Sequence, residues 1–107
     1  MATDVEIADS TLSKARGLMF RRSIPDDYAL VFPFETAETR TLHMLFVPVS
    51  IDAVWVVDGT VTQTKRLRPF VGIGFARGDT VIELPAGSAA AVDPGDAIDV
   101  IETGRES

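Results

Sequence analysis

Ile51-Asp52-Ala53-Val54-Trp55-Val56-Val57-Asp58-Gly59-Thr60-Val61-Thr62-Gln63-Thr64-Lys65 is the stretch on which the fold turns. Two β-branched runs meet at Asp58-Gly59. That dipeptide supplies the positive φ values a tight two-residue hairpin loop needs, so the stretch reads as a β-hairpin.

Strand signals continue on both sides. Toward the N-terminus, residues 39–47 read as a long strand, with Leu42, Met44 and Phe46 on one face and His43, Leu45 and Val47 on the other. Pro48 should break it, since proline cannot donate to a ladder. Residues 33–38 read as a loop and residues 28–32 as a buried strand. Pro25 and Asp26-Asp27 make residues 21–27 a turn-rich connection. Residues 5–8 alternate and suit an opening strand. Asp9 and Ser10 are N-cap types ahead of a helix from Thr11, whose stripe is Leu12, Ala15 and Met19. Gly17 should stop that helix, and Leu18, Met19 and Phe20 then enter the core as a plug between Arg16 and Arg21.

Toward the C-terminus, Gly72, Gly74 and Gly78 interrupt residues 69–78, which read as a loop or a sharply bent, bulged strand. Residues 81–84 form a further strand. Ser88 should cap a short helix at residues 89–92 that ends near Pro94-Gly95. Residues 96–101 read as the last strand. The sum is seven or eight short strands and two short helices. This predicts a mainly β (α+β) fold, a small closed or half-closed β-barrel, in one domain over residues 1–107.

Composition narrows the function classes. The chain has 107 residues, 46% of them hydrophobic, enough for one core without staples. It has no cysteine, which excludes disulfides, thiolate zinc sites and cysteine nucleophiles. Net charge is −6 and the sequence pI about 4.6. Phosphate neutralisation needs clustered Lys and Arg, so no nucleic-acid partner is expected. Lys14 and Lys65 are the sole lysines. Acidic surface with little lysine is the balance expected of proteins from a very salty cytoplasm, or of compositional drift in an Arg-rich genome. The first residues carry no basic, apolar signal pattern, and no run approaches the ~20 apolar residues that span a bilayer. A cytoplasmic location and no membrane partner are therefore expected.

The ordered motifs resemble a known family. They are Ala15-Arg16-Gly17-Leu18-Met19-Phe20-Arg21, then Leu30-Val31-Phe32-Pro33-Phe34, then Leu42-His43-Met44 with Ile51-Asp52 and Asp58-Gly59. Val81-Ile82-Glu83-Leu84-Pro85-Ala86-Gly87 and Pro94-Gly95-Asp96 complete the set. Together they resemble domain-of-unknown-function (DUF) family 192, also called uncharacterised protein family (UPF) 0127, over nearly the whole chain. Many relatives carry an aromatic before the central Met and a Lys-Asn pair after it, where this chain has His43, Leu45 and Phe46. The resemblance implies the fold and supplies no mechanism.

Few residues offer chemistry. His43 and Asp52 are the catalytic candidates, and together they would serve a small hydrolase or isomerase if they shared a cleft. A lone histidine on an apolar strand more often hydrogen-bonds to backbone. A carboxylate between apolar stretches must be paired, and Arg16 or Arg21 is the expected partner of Asp52. Lys65, Arg66, Arg68 and Arg77 flank the glycine-rich stretch, either as solvated strand ends or as a rim for a small anion. The carboxylates of residues 93–99 suit a turn better than a metal loop. Trp55 reads as core packing. The favoured reading is a non-enzymatic domain that binds a small ligand or protein partner. The candidate contacts are Arg16, Arg21, His43, Asp52 and Arg68, with no cofactor and no metal.

Overall fold

A computed structural model describes residues 4–7, 24, 27–44 and 46–98. Five strands run in chain order: β1 (Asp4–Ile7), β2 (Tyr28–His43), β3 (Ile51–Val57), β4 (Thr60–Leu67) and β5 (Ile73–Pro85). They form one sheet in the order β1-β2-β5-β3-β4. β1 lies parallel to β2, and all other pairs are antiparallel.

The β3–β4 hairpin forms where the sequence places it. Asp58 and Gly59 have φ of 50° and 74°, as a two-residue turn with both central residues left-handed demands. Residues 51–56 are all buried, because both faces of the sheet are covered. One face packs Tyr28, Leu30, Phe32, Met44, Ile51, Trp55, Leu67 and Val81. The other packs Ala29, Val31, Val54, Val56, Val61 and Ile82, with Val92 and Ile98 from the C-terminal turns laid against it.

The barrel expectation is corrected. Five strands are present among the described residues, and the ladder stays open, with β1 and β4 at its edges. The expected strands were counted separately where the chain runs on. The loop expected at residues 33–38 lies inside β2, so two short strands become one of 16 residues. The glycine-rich stretch enters β5 at Ile73, which merges two more. Pro33 has no N–H to donate, and the β2–β5 register slips there: Pro33 faces Thr80, while Glu38 already faces Gly78. Arg40 pins the extra residues. Its Nε donates to Gly78 O at 3.2 Å, its Nη2 to Thr36 O at 2.7 Å, and its guanidinium lies 3.9 Å from the Phe34 ring centroid.

The half of β5 that β3 does not pair curls toward β4, and side chains rather than ladder bonds bridge the gap. Lys65 Nζ donates to Ile73 O at 2.7 Å and Thr62 Oγ1 to Arg77 O at 2.5 Å. This approach explains the glycines. A Cβ on Gly74 would sit 3.0 Å from the Trp55 ring, and one on Gly72 would lie 2.6 Å from Arg68 N and 2.9 Å from Met44 Cγ. Gly72→Ala is therefore expected to lower stability by about 1–3 kcal/mol, because backbone must shift. Urea unfolding checks this, and an unchanged midpoint would refute it.

Three further expectations change. The strand expected at residues 39–47 stops at His43, because Phe46 turns the chain with φ 62°. Residues 86–92 form successive turns instead of a helix, closed by Ser88 N to Pro85 O, Ala90 N to Gly87 O and Val92 N to Ala89 O. In the expected last strand, only an isolated bridge between Thr60 and Ala97 is present among the described residues. The N-terminal helix, its stop at Gly17 and the Leu18-Met19-Phe20 plug lie outside the described residues.

Candidate functional site

The site candidates separate along β5. His43 pairs with Ile73 near one end of that strand, and Asp52 pairs with Leu84 near the other. His43 is exposed, whereas Asp52 is buried. Arg68 is exposed in the turn before β5. Arg16 and Arg21 lie outside the described residues. Arg68 follows Leu67, the partner of Ile51, so it stands beside the Asp52 end of the β3–β4 hairpin, and its carbonyl accepts from Gly72 N just ahead of Ile73.

Asp52 is occupied as an anchor. Its Oδ1 accepts from Arg66 Nε at 2.6 Å, and its Oδ2 accepts from Gly87 N at 2.9 Å and Ala89 N at 3.0 Å. The cation shown is Arg66, directly across the hairpin, where Arg16 or Arg21 was expected. The hydrogen bond to Asp52, then its charge, raises the Arg66 pKa and holds the guanidinium ionised. The carboxylate thereby ties the turns after β5 to the sheet. A shallow cavity of about 260 Å³ opens beside it, lined among others by Thr64, Arg66 and Asp93.

Glu83 was not singled out from the sequence. It is 7% exposed and pairs with Leu30 on one side and Ala53 on the other. Among the described residues it has no ion-pair or hydrogen-bond partner. Burial pushes its carboxyl up to about 7. One signal was available: Val81 and Glu83 are two apart on a strand, so they share a face, and Val81 is core.

The most unusual surface is apolar. Phe46, Phe70, Val71, Ile73 and Phe75 are each 50% to 71% exposed. They are neighbours. The turn carrying Phe46 and the turn carrying Phe70 are joined by Met44 N to Gly72 O at 3.0 Å and Phe70 N to Val47 O at 3.1 Å. β5 then leaves that junction with Ile73 and Phe75 on its outer side, because the inward positions belong to Gly74 and Ala76. His43 and Thr41 stand opposite them on β2. Phe46 and Phe70 both have positive φ, 62° and 64°. A bulky side chain in that region costs on the order of 1 kcal/mol or more, and such residues concentrate at binding and switch sites.

Among the described residues, no group of three or more His, Asp or Glu side chains is arranged to hold a metal ion. None of their helices is long and apolar enough to cross a membrane.

Fold and surface together define a small, mainly β domain: an open five-stranded sheet, two-sided in its packing, with an apolar outer end. The chain belongs to the DUF192 family, described as "Uncharacterized ACR, COG1430", whose pattern matches residues 1–100. It is 37% identical over 95 residues to a UPF0127 protein of Pyrococcus horikoshii, covering 85% of this chain and 80% of that one. A UPF0127 protein of Pyrococcus abyssi is 35% identical over 103 residues, covering 91% and 86%. Among solved structures, a protein of unknown function from Novosphingobium aromaticivorans superposes with a TM-score of 0.81 at 25% identity, covering 90% of this chain and 74% of that one. The family has no assigned activity.

Proposed function

We propose that this domain is a non-enzymatic binding module that docks a protein partner on the surface of Phe46, Phe70, Val71, Ile73 and Phe75. The observation that carries the reading is the concentration of these five exposed side chains at one end of the sheet. Single exposed apolar residues are ordinary, but a contiguous set costs solubility unless something covers it in use. The two left-handed phenylalanines support the same reading, since the backbone holds a costly conformation at two residues that are half exposed or more. His43 and Arg68, candidates from the sequence, lie on or beside this surface. A hydrolase or isomerase working through His43 and Asp52 would need a carboxylate free to act, and the Asp52 oxygens accept from Arg66, Gly87 and Ala89.

Fragment screening by NMR on the isotope-labelled domain tests the reading. Small aromatic and aliphatic fragments should shift the amides of residues 43–47 and 70–75 as a cluster. Phe75→Asp should remove the cluster while the rest of the spectrum stays folded. Shifts scattered over the molecule, with none concentrated there, would sink the proposal.

A further inference from the structure

The apolar surface sits in the acid-free part of an acidic chain. The protein has 16 Asp and Glu residues, and none falls within residues 39–51 or 59–78. Those two segments hold Arg40, His43, Lys65, Arg66, Arg68 and Arg77. The register gathers much of this onto one surface. Thr39, Thr41 and His43 of β2 face Arg77, Phe75 and Ile73 of β5 in turn, and all six are exposed. Arg68 is exposed at the turn below, where its carbonyl accepts from Gly72 N. Going along the surface, the order is Arg68, Phe70, Val71, Ile73, Phe75, Arg77: apolar in the middle with an arginine at each end, the nearest carboxylates on β2 and β5 being Glu38 opposite Gly78 and Asp79, which accepts from Asp58 N.

We infer that the occupant of this surface is a partner segment whose apolar side chains are flanked by Asp or Glu. The inference rests on the docking reading above and adds the partner's chemistry to it. Apolar side chains would cover Phe46, Phe70, Ile73 and Phe75, and flanking carboxylates would meet Arg68 and Arg77. Charge complementarity at such a rim sets which partner is accepted and how fast it arrives. A second copy docked face to face would set these arginines against each other. A single-stranded nucleic acid would find Phe rings to stack on, but Val71 and Ile73 offer no π-face and the whole chain is acidic.

Two short synthetic peptides with the same Leu and Phe residues test this, one spaced by Glu and the other by Lys, with a short single-stranded oligonucleotide as a third probe. The Glu peptide should bind and shift residues 43–47 and 70–75, and should weaken as salt rises. The Lys peptide should bind at least about tenfold more weakly. The double variant Arg68→Glu/Arg77→Glu should reverse that order, and Phe75→Asp should abolish both. Equal binding of the two peptides would overturn the charge inference while leaving the docking surface standing. Silence of both peptides together with scattered fragment shifts would overturn the docking reading itself. Tighter binding of the oligonucleotide, or a dimer in sedimentation that Phe75→Asp dissolves, would overturn the proposed occupant.

Discussion

Near pH 8, Glu83→Gln is expected to be more stable than the parent domain by about 3 kcal/mol, with the difference vanishing near pH 4. The Glu83 carboxyl is pushed from its usual 4.5 up to about 7 by burial alone. Below the lower value, folded and unfolded chains are both protonated there, and the cost of burying the neutral acid is one that glutamine shares. Between the two values the unfolded chain ionises while the folded chain stays protonated. The unfolded state then binds fewer protons, so stability falls as pH rises. Above about 7 the folded protein carries a buried charge and the full cost is present. Glutamine keeps the shape and removes the ionisation. Urea unfolding of both proteins from about pH 4 to pH 8 reads the difference directly, and curves that run parallel across that range would show that Glu83 does not titrate in the sheet.

Asp52→Ala should lose about 3 kcal/mol or more at neutral pH. The carboxylate accepts from three donors, two of them backbone N–H groups of the turns after β5. Removing it strands the buried Ala89 N–H, and a buried donor without a partner carries its full desolvation cost. Asp52→Asn is the informative companion. It retains one acceptor oxygen and should recover part of the loss, with Arg66 released. If Asp52→Ala unfolds at the parent's midpoint, the anchor role is wrong. Amide exchange at residues 86–93 should rise in Asp52→Ala before the β3–β4 hairpin is affected, because those turns hang on the carboxylate.

Local chemistry made the hairpin legible. Asp58-Gly59 is one of the few dipeptides that accept two left-handed residues in succession, and the runs on either side alternate or stay apolar over a strand's length. The same local reading miscounted strands at Pro33 and at Gly72 to Gly78. Those residues signal a break in pairing, and here the break is a slipped register and a tight approach inside longer strands. The site was legible only in outline. His43 and Arg68 stand out in a sequence because they are rare or charged, whereas Phe70 and Phe75 of the proposed docking surface are hidden in a glycine-rich stretch.

The sequence alone settled the β-rich character, the β3–β4 hairpin and the family, since each rests on neighbouring residues or on an ordered set of motifs. Tertiary structure decided the rest. Only the placement of β5 between β2 and β3 buries Glu83, and only the curl of that strand over Trp55 turns Ile73 and Phe75 outward. Alternation shows which side chains share a face. It does not show which face another part of the chain will cover, because that depends on pairings between segments far apart in sequence.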